Sequence, residues 1–205
     1  MRLPVRSHEE KAAVIIETAQ KRFGIYGIEK TSMREIAGDL NMTKGSLYYY
    51  FPDKENLYRA VVDKEQAEFI KVLYNDLKKT DNPVDGIKKY VINRLTYFKT
   101  MVNLSRLRAE SFTEFKPLIA DSMTRFRENE KKIIKDFLDQ GIALGIFRVE
   151  DSNETATLFL DLLRGLRGAV LTDKKLLVID DDEFSEMADK AIRFTIIFIN
   201  GLKNN

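Results

Sequence analysis

Thr43, Lys44, Gly45, Ser46, Tyr48, Tyr49, Tyr50 and Lys54 form a dense run of hydrogen-bonding side chains, with Ser32 a short distance upstream. Hydroxyl and ammonium groups in such a run suit phosphate oxygens, and a tyrosine ring with one hydroxyl suits the base edges and thymine methyls of a DNA major groove. Gly45 removes a side chain from this segment, so the backbone can approach a duplex closely. Three consecutive tyrosines on one short exposed helix are costly to leave without a partner. The rest of the chain argues against bond-making chemistry. It has no cysteine and a single histidine, His8. Disulfides, a thiol nucleophile, thiolate metal sites, a histidine triad and a multi-histidine metal centre are therefore not expected. There is no glycine-rich phosphate loop. The expectation is a protein that is not an enzyme and needs no cofactor and no metal.

These side chains need a frame. Ser32-Met33-Arg34-Glu35 has the spacing of a capping box, which starts a helix with Met33, Ile36, Ala37 and Leu40 on its inner side. Asn41 ends it, because Asn tolerates the left-handed backbone of a tight turn, and Thr43 caps a second helix beginning at Lys44. Leu47 and Phe51 are four apart and plug that helix into a core, leaving Lys44 to Ser46 and the three tyrosines mostly outside. A brace from Ser7 to Phe23 is expected, with Ala12, Ile15, Ile16, Ala19 and Phe23 inward and Gly24 and Gly27 ending it. Pro52 and Asp53 stop the reading helix. Asp53 caps a long helix to about Lys79, and Lys54 sits in its first turn, where backbone amides and the ammonium both favour a phosphate. The domain reading is 1–52 for a helix-turn-helix and 53–205 for a second helical domain, with 53–79 as the connecting helix.

The residues Thr31-Ser32-Met33-Arg34-Glu35-Ile36-Ala37, Thr43 to Phe51, and Lys54-Glu55-Asn56-Leu57 resemble the DNA-binding signature of the tetracycline-repressor (TetR) family. The resemblance covers roughly residues 8 to 60. It departs at Asn41, where the family often has Gly, and at Tyr50, where it often has His. It implies a transcriptional regulator that binds double-stranded DNA as a homodimer and responds to a small-molecule effector. Beyond this segment only helical layout and length are similar, so no effector carries over.

Downstream, helices are expected at about 84–104, 105–115, 117–145, 153–171 and 182–203, making the fold class all-α. Leu176 to Ile179 is the one strand-like run and reads equally as an apolar connection. Asp180-Asp181-Asp182-Glu183 reads as a helix start that favours negative charge, not a metal loop. The last two helices carry more apolar surface than one face needs. Phe159, Leu163, Leu166, Gly168, Ala191, Phe194 and Phe198, with Gly165, are the expected interface of an isologous four-helix dimer. Such a dimer spaces two reading helices about 34 Å apart and so expects a near-palindromic operator. Tyr90, Arg94, Tyr97, Phe98, Met101, Phe112 and Phe126, with Phe115 and Met123 nearby, are the expected lining of an effector pocket. That pocket would suit a largely apolar or aromatic compound, with Arg94 or Arg106 meeting an anionic group.

Composition agrees with this reading. The chain has 205 residues, 44% hydrophobic and 32% charged, with a formal net charge of +2 that falls within residues 1–64. This is too little positive charge for a protein that coats DNA through bulk electrostatics, so placement of a few groups must carry specificity. An architectural DNA-coating protein and an all-α enzyme are the alternatives, and each explains fewer features than a repressor. Arg2 and Arg6 form either a minor-groove arm or a solvated terminus. No apolar run is long enough for a membrane span and no signal peptide is legible, so no membrane is expected and the cytoplasm is the expected location.

Overall fold

Local capping explains where most helices begin. The computed structural model describes residues 7–105, 113, 115–172, 174–175 and 178–203, with backbone alone at Asp76 and at 101–105. In chain order the helices are α1 (His8–Tyr26), α2 (Met33–Asp39), α3 (Lys44–Tyr50), α4 (Lys54–Leu77), α5 (Pro83–Ser105), α6 (Ala120–Ala143), α7 (Ser152–Leu171) and α8 (Asp181–Leu202), with a 3-10 turn at Lys116–Ile119 before α6. Ser7 and Glu10, Ser32 and Glu35, and Asp180 and Glu183 form reciprocal capping boxes at the starts of α1, α2 and α8. Thr43 and Asp151 cap α3 and α7. Among the described residues there is no strand, only an isolated bridge between Phe147 and Lys203, so the fold is all-α.

Several boundaries differ from the sequence expectation. Gly24 does not end α1: the helix runs through it to Tyr26, and Gly27, at φ 81°, is the terminator, its amide donating to the Phe23 carbonyl. The helix expected over 117–145 opens with the 3-10 turn and closes at Ala143, before Gly145 at φ 69°. Val178 and Ile179 are irregular, with Ile179 buried, while Leu176 and Leu177 lie outside the described residues. So does most of the helix expected over 105–115, including Arg106 and Phe112, and so do Arg2 and Arg6.

The described residues fall into two compact units, divided within α4 between Glu65 and Gln66. The division lies inside this helix, not at the 52/53 boundary read from sequence. The reason is that the first turns of α4 complete the core of α1 to α3. Leu57, Tyr58, Val61 and Val62 are buried together with Ile15, Ala19, Phe23, Ile28, Met33, Ile36, Ala37 and Leu47. The Phe23 and Tyr58 rings meet edge to face at 5.9 Å, and Gln20 on α1 bonds both Glu65 (3.0 Å) and Lys64 (2.9 Å) on α4. A three-helix core this small is marginal alone, and three turns of a fourth helix enlarge it.

The second unit packs the rest of α4 with α5 to α8. Leu73, Ile87, Tyr90, Ile133, Ile134, Leu138, Phe159 and Ala191 are among its fully buried side chains. At Gly86 a Cβ would stand 2.2 Å from the Phe137 ring, so the close packing there needs a residue without a side chain.

Candidate nucleic-acid interface

The reading segment is built by α2, a tight turn and α3. The turn works because Asn41 adopts φ 51°, the left-handed region in which Asn is better tolerated than most residues. The Met42 amide then donates back to the Ala37 carbonyl at 2.9 Å. On α3 the Ser46 amide donates to the Thr43 hydroxyl at 3.1 Å, and the two hydroxyls are 2.8 Å apart. Leu47 is fully buried and anchors the helix, while Phe51 is half-buried. Arg22 on α1 clamps α2: its guanidinium binds both Asp39 oxygens and lies 3.4 Å from Glu35. This hydrogen bonding raises the Arg22 pKa and holds the Asp39 carboxyl below its ordinary range. The hydrogen bonds from Ser32 do the same for Glu35.

With one helix anchored and the other clamped, Thr43, Lys44, Gly45, Ser46, Tyr48 and Tyr49 face solvent. Tyr49 is 75% exposed, the highest value of any large hydrophobic side chain among the described residues, and Tyr48 is 38% exposed. A Cβ at Gly45 would meet nothing within 4 Å. The Lys44 ammonium lies over the Tyr48 ring at 5.4 Å, which pre-positions a cation beside a hydroxyl.

The other sequence-selected groups are more engaged. Tyr50 is half-buried against His8, their rings 4.6 Å apart, and against Tyr49 at 5.3 Å. Ser32 donates to the Glu35 carboxylate at 2.8 Å and accepts from the Glu35 amide at 3.3 Å. Lys54 is half-buried, and its ammonium donates to the Ile28 carbonyl at 3.0 Å, tying the start of α4 to the loop before α2. An open cleft of about 700 Å³ runs between α1 and α3, with Lys11, Asn41, Gly45 and Tyr49 on its walls. His8 and Lys11 are interface candidates that the sequence reading did not select. Both lie on the brace helix, and nothing in their spacing ties them to α3.

In the second unit a cavity of about 20 Å³, room for about one water, lies among α5, α6 and α7. Tyr90, Arg94 and Phe98 line it as the sequence reading expected, joined by Glu130, Arg164 and Arg167, which that reading missed. Glu130 was the detectable one. It follows Phe126 and precedes Ile133, Ile134 and Phe137 at helical spacing, a carboxylate on an apolar stripe. Tyr97 and Phe126 are not on the wall: they form an aromatic cluster with Phe69, whose ring stacks on Tyr97 at 4.0 Å. The side chains of Met101 and Phe112 lie outside the described residues. Phe115 packs instead on Tyr58 in the first unit, 5.6 Å between rings.

The expected dimer surface needs correction. Phe159, Leu163 and Ala191 are buried in the protomer's own core, and Leu166, Phe194 and Phe198 pack onto it. The Phe159 and Phe198 rings meet at a tilt, 4.7 Å between centroids. These residues are on the inner faces of α7 and α8. What faces solvent is Leu158, Leu162, Gly165, Gly168 and Ala169 on α7 and Ile196 and Ile197 on α8. Helical spacing shows that each helix carries two apolar faces, but not which of them the protomer itself covers.

Residues 15–61 match the family model for bacterial regulatory proteins of the tetR family. The solved structure of a transcriptional regulator from Cytophaga hutchinsonii superposes with a TM-score of 0.86 and 36% identity, over 95% of this chain and 99% of that one. The HTH-type transcriptional regulator YuxN of Bacillus subtilis is 36% identical over 81 residues, 40% of this chain; the match spans only 28% of YuxN. The biofilm operon icaADBC negative regulator IcaR of Staphylococcus epidermidis is 28% identical over 153 residues, 72% of this chain and 78% of IcaR.

Proposed function

This chain belongs to the TetR family of DNA-binding transcriptional regulators, whose members act as dimers, and from that premise we propose that it is a repressor of a near-palindromic operator, released by a small-molecule effector. The observation that carries the reading is the outward face of α3: Gly45 without steric cover, Tyr49 largely exposed and Lys44 beside Tyr48, on a helix anchored by Leu47. Such a face offers hydroxyls and one cation to phosphates and base edges in a major groove. The negative regulation in the name of IcaR supports repression as the sign of control.

The dimer forms through the solvent-facing apolar stripes of α7 and α8, Leu158, Leu162, Ile196 and Ile197, with Gly165 and Gly168 allowing the partner's helices to come close. Two copies of α3 then meet successive major grooves on one side of the duplex. Helix α4 contributes to both units, so a change in the packing of its second half reaches the first half along continuous helix. An effector acts only by favouring one such arrangement, at a coupling of roughly 1–3 kcal/mol. The protein works in the cytoplasm, where its DNA target is accessible.

Selection of bound fragments from a random DNA pool tests the reading. A recovered consensus with two inverted half-sites about one helical turn apart is the expected result. Retention of DNA with no sequence preference, or a consensus with a single half-site, overturns it.

A further inference from the structure

The cavity among α5, α6 and α7 has an unbalanced charge. Three guanidiniums, those of Arg94, Arg164 and Arg167, line it against one carboxylate, that of Glu130. Glu130 is almost fully buried and already committed: it accepts from the Tyr90 hydroxyl at 2.7 Å and pairs with Arg94. Arg164 pairs with Asp161, which is well exposed. Arg167 has no carboxylate of its own among the described residues. Its guanidinium lies over the Phe98 ring at 4.4 Å, a contact that attracts a cation but leaves its N–H groups without an anionic acceptor. Arg167 is half-buried, and a protein gains nothing in stability by drawing an uncompensated cation out of water. Burial first, and Arg94 second, push the Arg167 pKa down to about 9, the electrostatic expression of that shortfall; the group is still charged at neutral pH.

We propose that this cavity is the effector site and that its ligand is a small organic carboxylate, held by Arg167 and Arg94 with its hydrocarbon part against Val91, Leu95, Leu160 and Leu163. The guanidinium fork matches a carboxylate with two parallel hydrogen bonds. The apolar walls favour an organic anion over an inorganic one. Room for it comes from Arg164, whose side chain is more exposed than that of Arg94 (26% against 12%) and whose pairing with exposed Asp161 is worth little. This inference rests on the reading of the second unit as the effector-binding part.

Calorimetric titration of the full-length protein with acetate, benzoate and octanoate, each beside its uncharged amide at matched ionic strength, tests it. At least one carboxylate is expected to bind below about 1 mM and at least about tenfold more tightly than its amide. The variant Arg167→Gln is expected to lose that preference, whereas Arg193→Gln, on the exposed side of α8, keeps it. Thermal unfolding supplies a second readout: without ligand, Arg167→Gln should melt about 2–4 °C higher than the parent, because a desolvated charge is gone. No binding by any of the three carboxylates, equal binding of acid and amide, or full binding by folded Arg167→Gln each overturns the proposal. An equal or lower melting point for Arg167→Gln also counts against it. The DNA reading stands or falls separately. A protein that selects an inverted repeat but shows no anion preference refutes the ligand class alone; one that binds carboxylate without loosening its DNA keeps the site and refutes ligand control.

Discussion

The two units place their candidate recognition groups differently. In the first, the informative side chains are on the outside of α3, and the interior beneath them is apolar apart from a few buried polar groups such as Thr31 and Glu65, each hydrogen-bonded within the unit. In the second, apolar side chains of α7 and α8 face solvent, and the informative polar groups are inside: Glu130, Arg94, Tyr90 and Arg167 around one small cavity. Burial holds the Tyr90 hydroxyl pKa well above its ordinary value, with Glu130 adding to the effect. The difference separates two ways of building recognition. A surface that meets a large, hydrated polyanion needs only a rigid support, whereas the pocket proposed for a small ligand keeps charge desolvated at a cost in stability. Substitutions in the second unit should therefore move stability, and substitutions on the outer face of α3 should move DNA binding without touching it.

The largest effect expected is for Glu130→Ala. It leaves Arg94 and Tyr90 buried without their acceptor, and by the usual cost of breaking a buried pair it should destabilise by about 3–5 kcal/mol; denaturant unfolding would measure this, and a change under about 1 kcal/mol would erase the contrast drawn between the units. Leu47→Ala is the first unit's equivalent. A fully buried Leu truncated in a small core costs about 2–5 kcal/mol, and because Leu47 anchors α3 it should also abolish operator binding in a gel-shift titration.

Gly86→Ala comes next. The added methyl would sit 2.2 Å from the Phe137 ring, and overpacking of this kind costs about 1–3 kcal/mol, read as a lower melting temperature with DNA affinity unchanged at temperatures where the protein is folded. Tyr49→Ala should do the reverse. Its ring is 75% exposed, so stability stays within about 0.5 kcal/mol, while discrimination between operator and mismatched sites falls by about 1–3 kcal/mol. A destabilised Tyr49→Ala, or one with unaltered site preference, would mean that the outward face of α3 is not the reading surface.

The smallest effect concerns acid. Folding lowers the carboxyl pKa of Asp39, chiefly through its hydrogen bond with Arg22, and that of Glu35, chiefly through Ser32, from ordinary values of 3.8 and 4.5. Groups lowered in this way stabilise the fold at pH above those values, and the contribution disappears as pH falls through the lower folded values. Protection of the α2 amides from exchange, measured against the intrinsic rate at each pH, should fall below about pH 4 before protection in α5 or α7 does, and Asp39→Asn should remove part of that acid sensitivity.

Legibility followed the same division. The capping box at Ser32, the Thr43 cap, the left-handed Asn41 and the buried Leu47 all read directly from adjacent residues, because a helix-turn-helix is specified within about twenty residues by contacts one or two turns apart. Lys54 was visible as a cation at a helix start, but its hydrogen bond to the Ile28 carbonyl joins residues far apart in sequence and had no local sign. The cavity was half legible. Tyr90, Arg94 and Phe98 were picked out as an aromatic and cationic stripe on one helix, while Glu130, Arg164 and Arg167 come from two others.

By itself, then, the amino-acid sequence determined the helices, their caps, the turn before α3 and the outward character of Tyr48 and Tyr49, since all depend on neighbours along the chain. Only the tertiary structure decided that Phe159, Leu163 and Ala191 close the protomer's own core, and that three guanidiniums and one carboxylate line the same cavity. Helical periodicity reports how many faces are apolar, and the packing of one helix against another decides which of those faces is used.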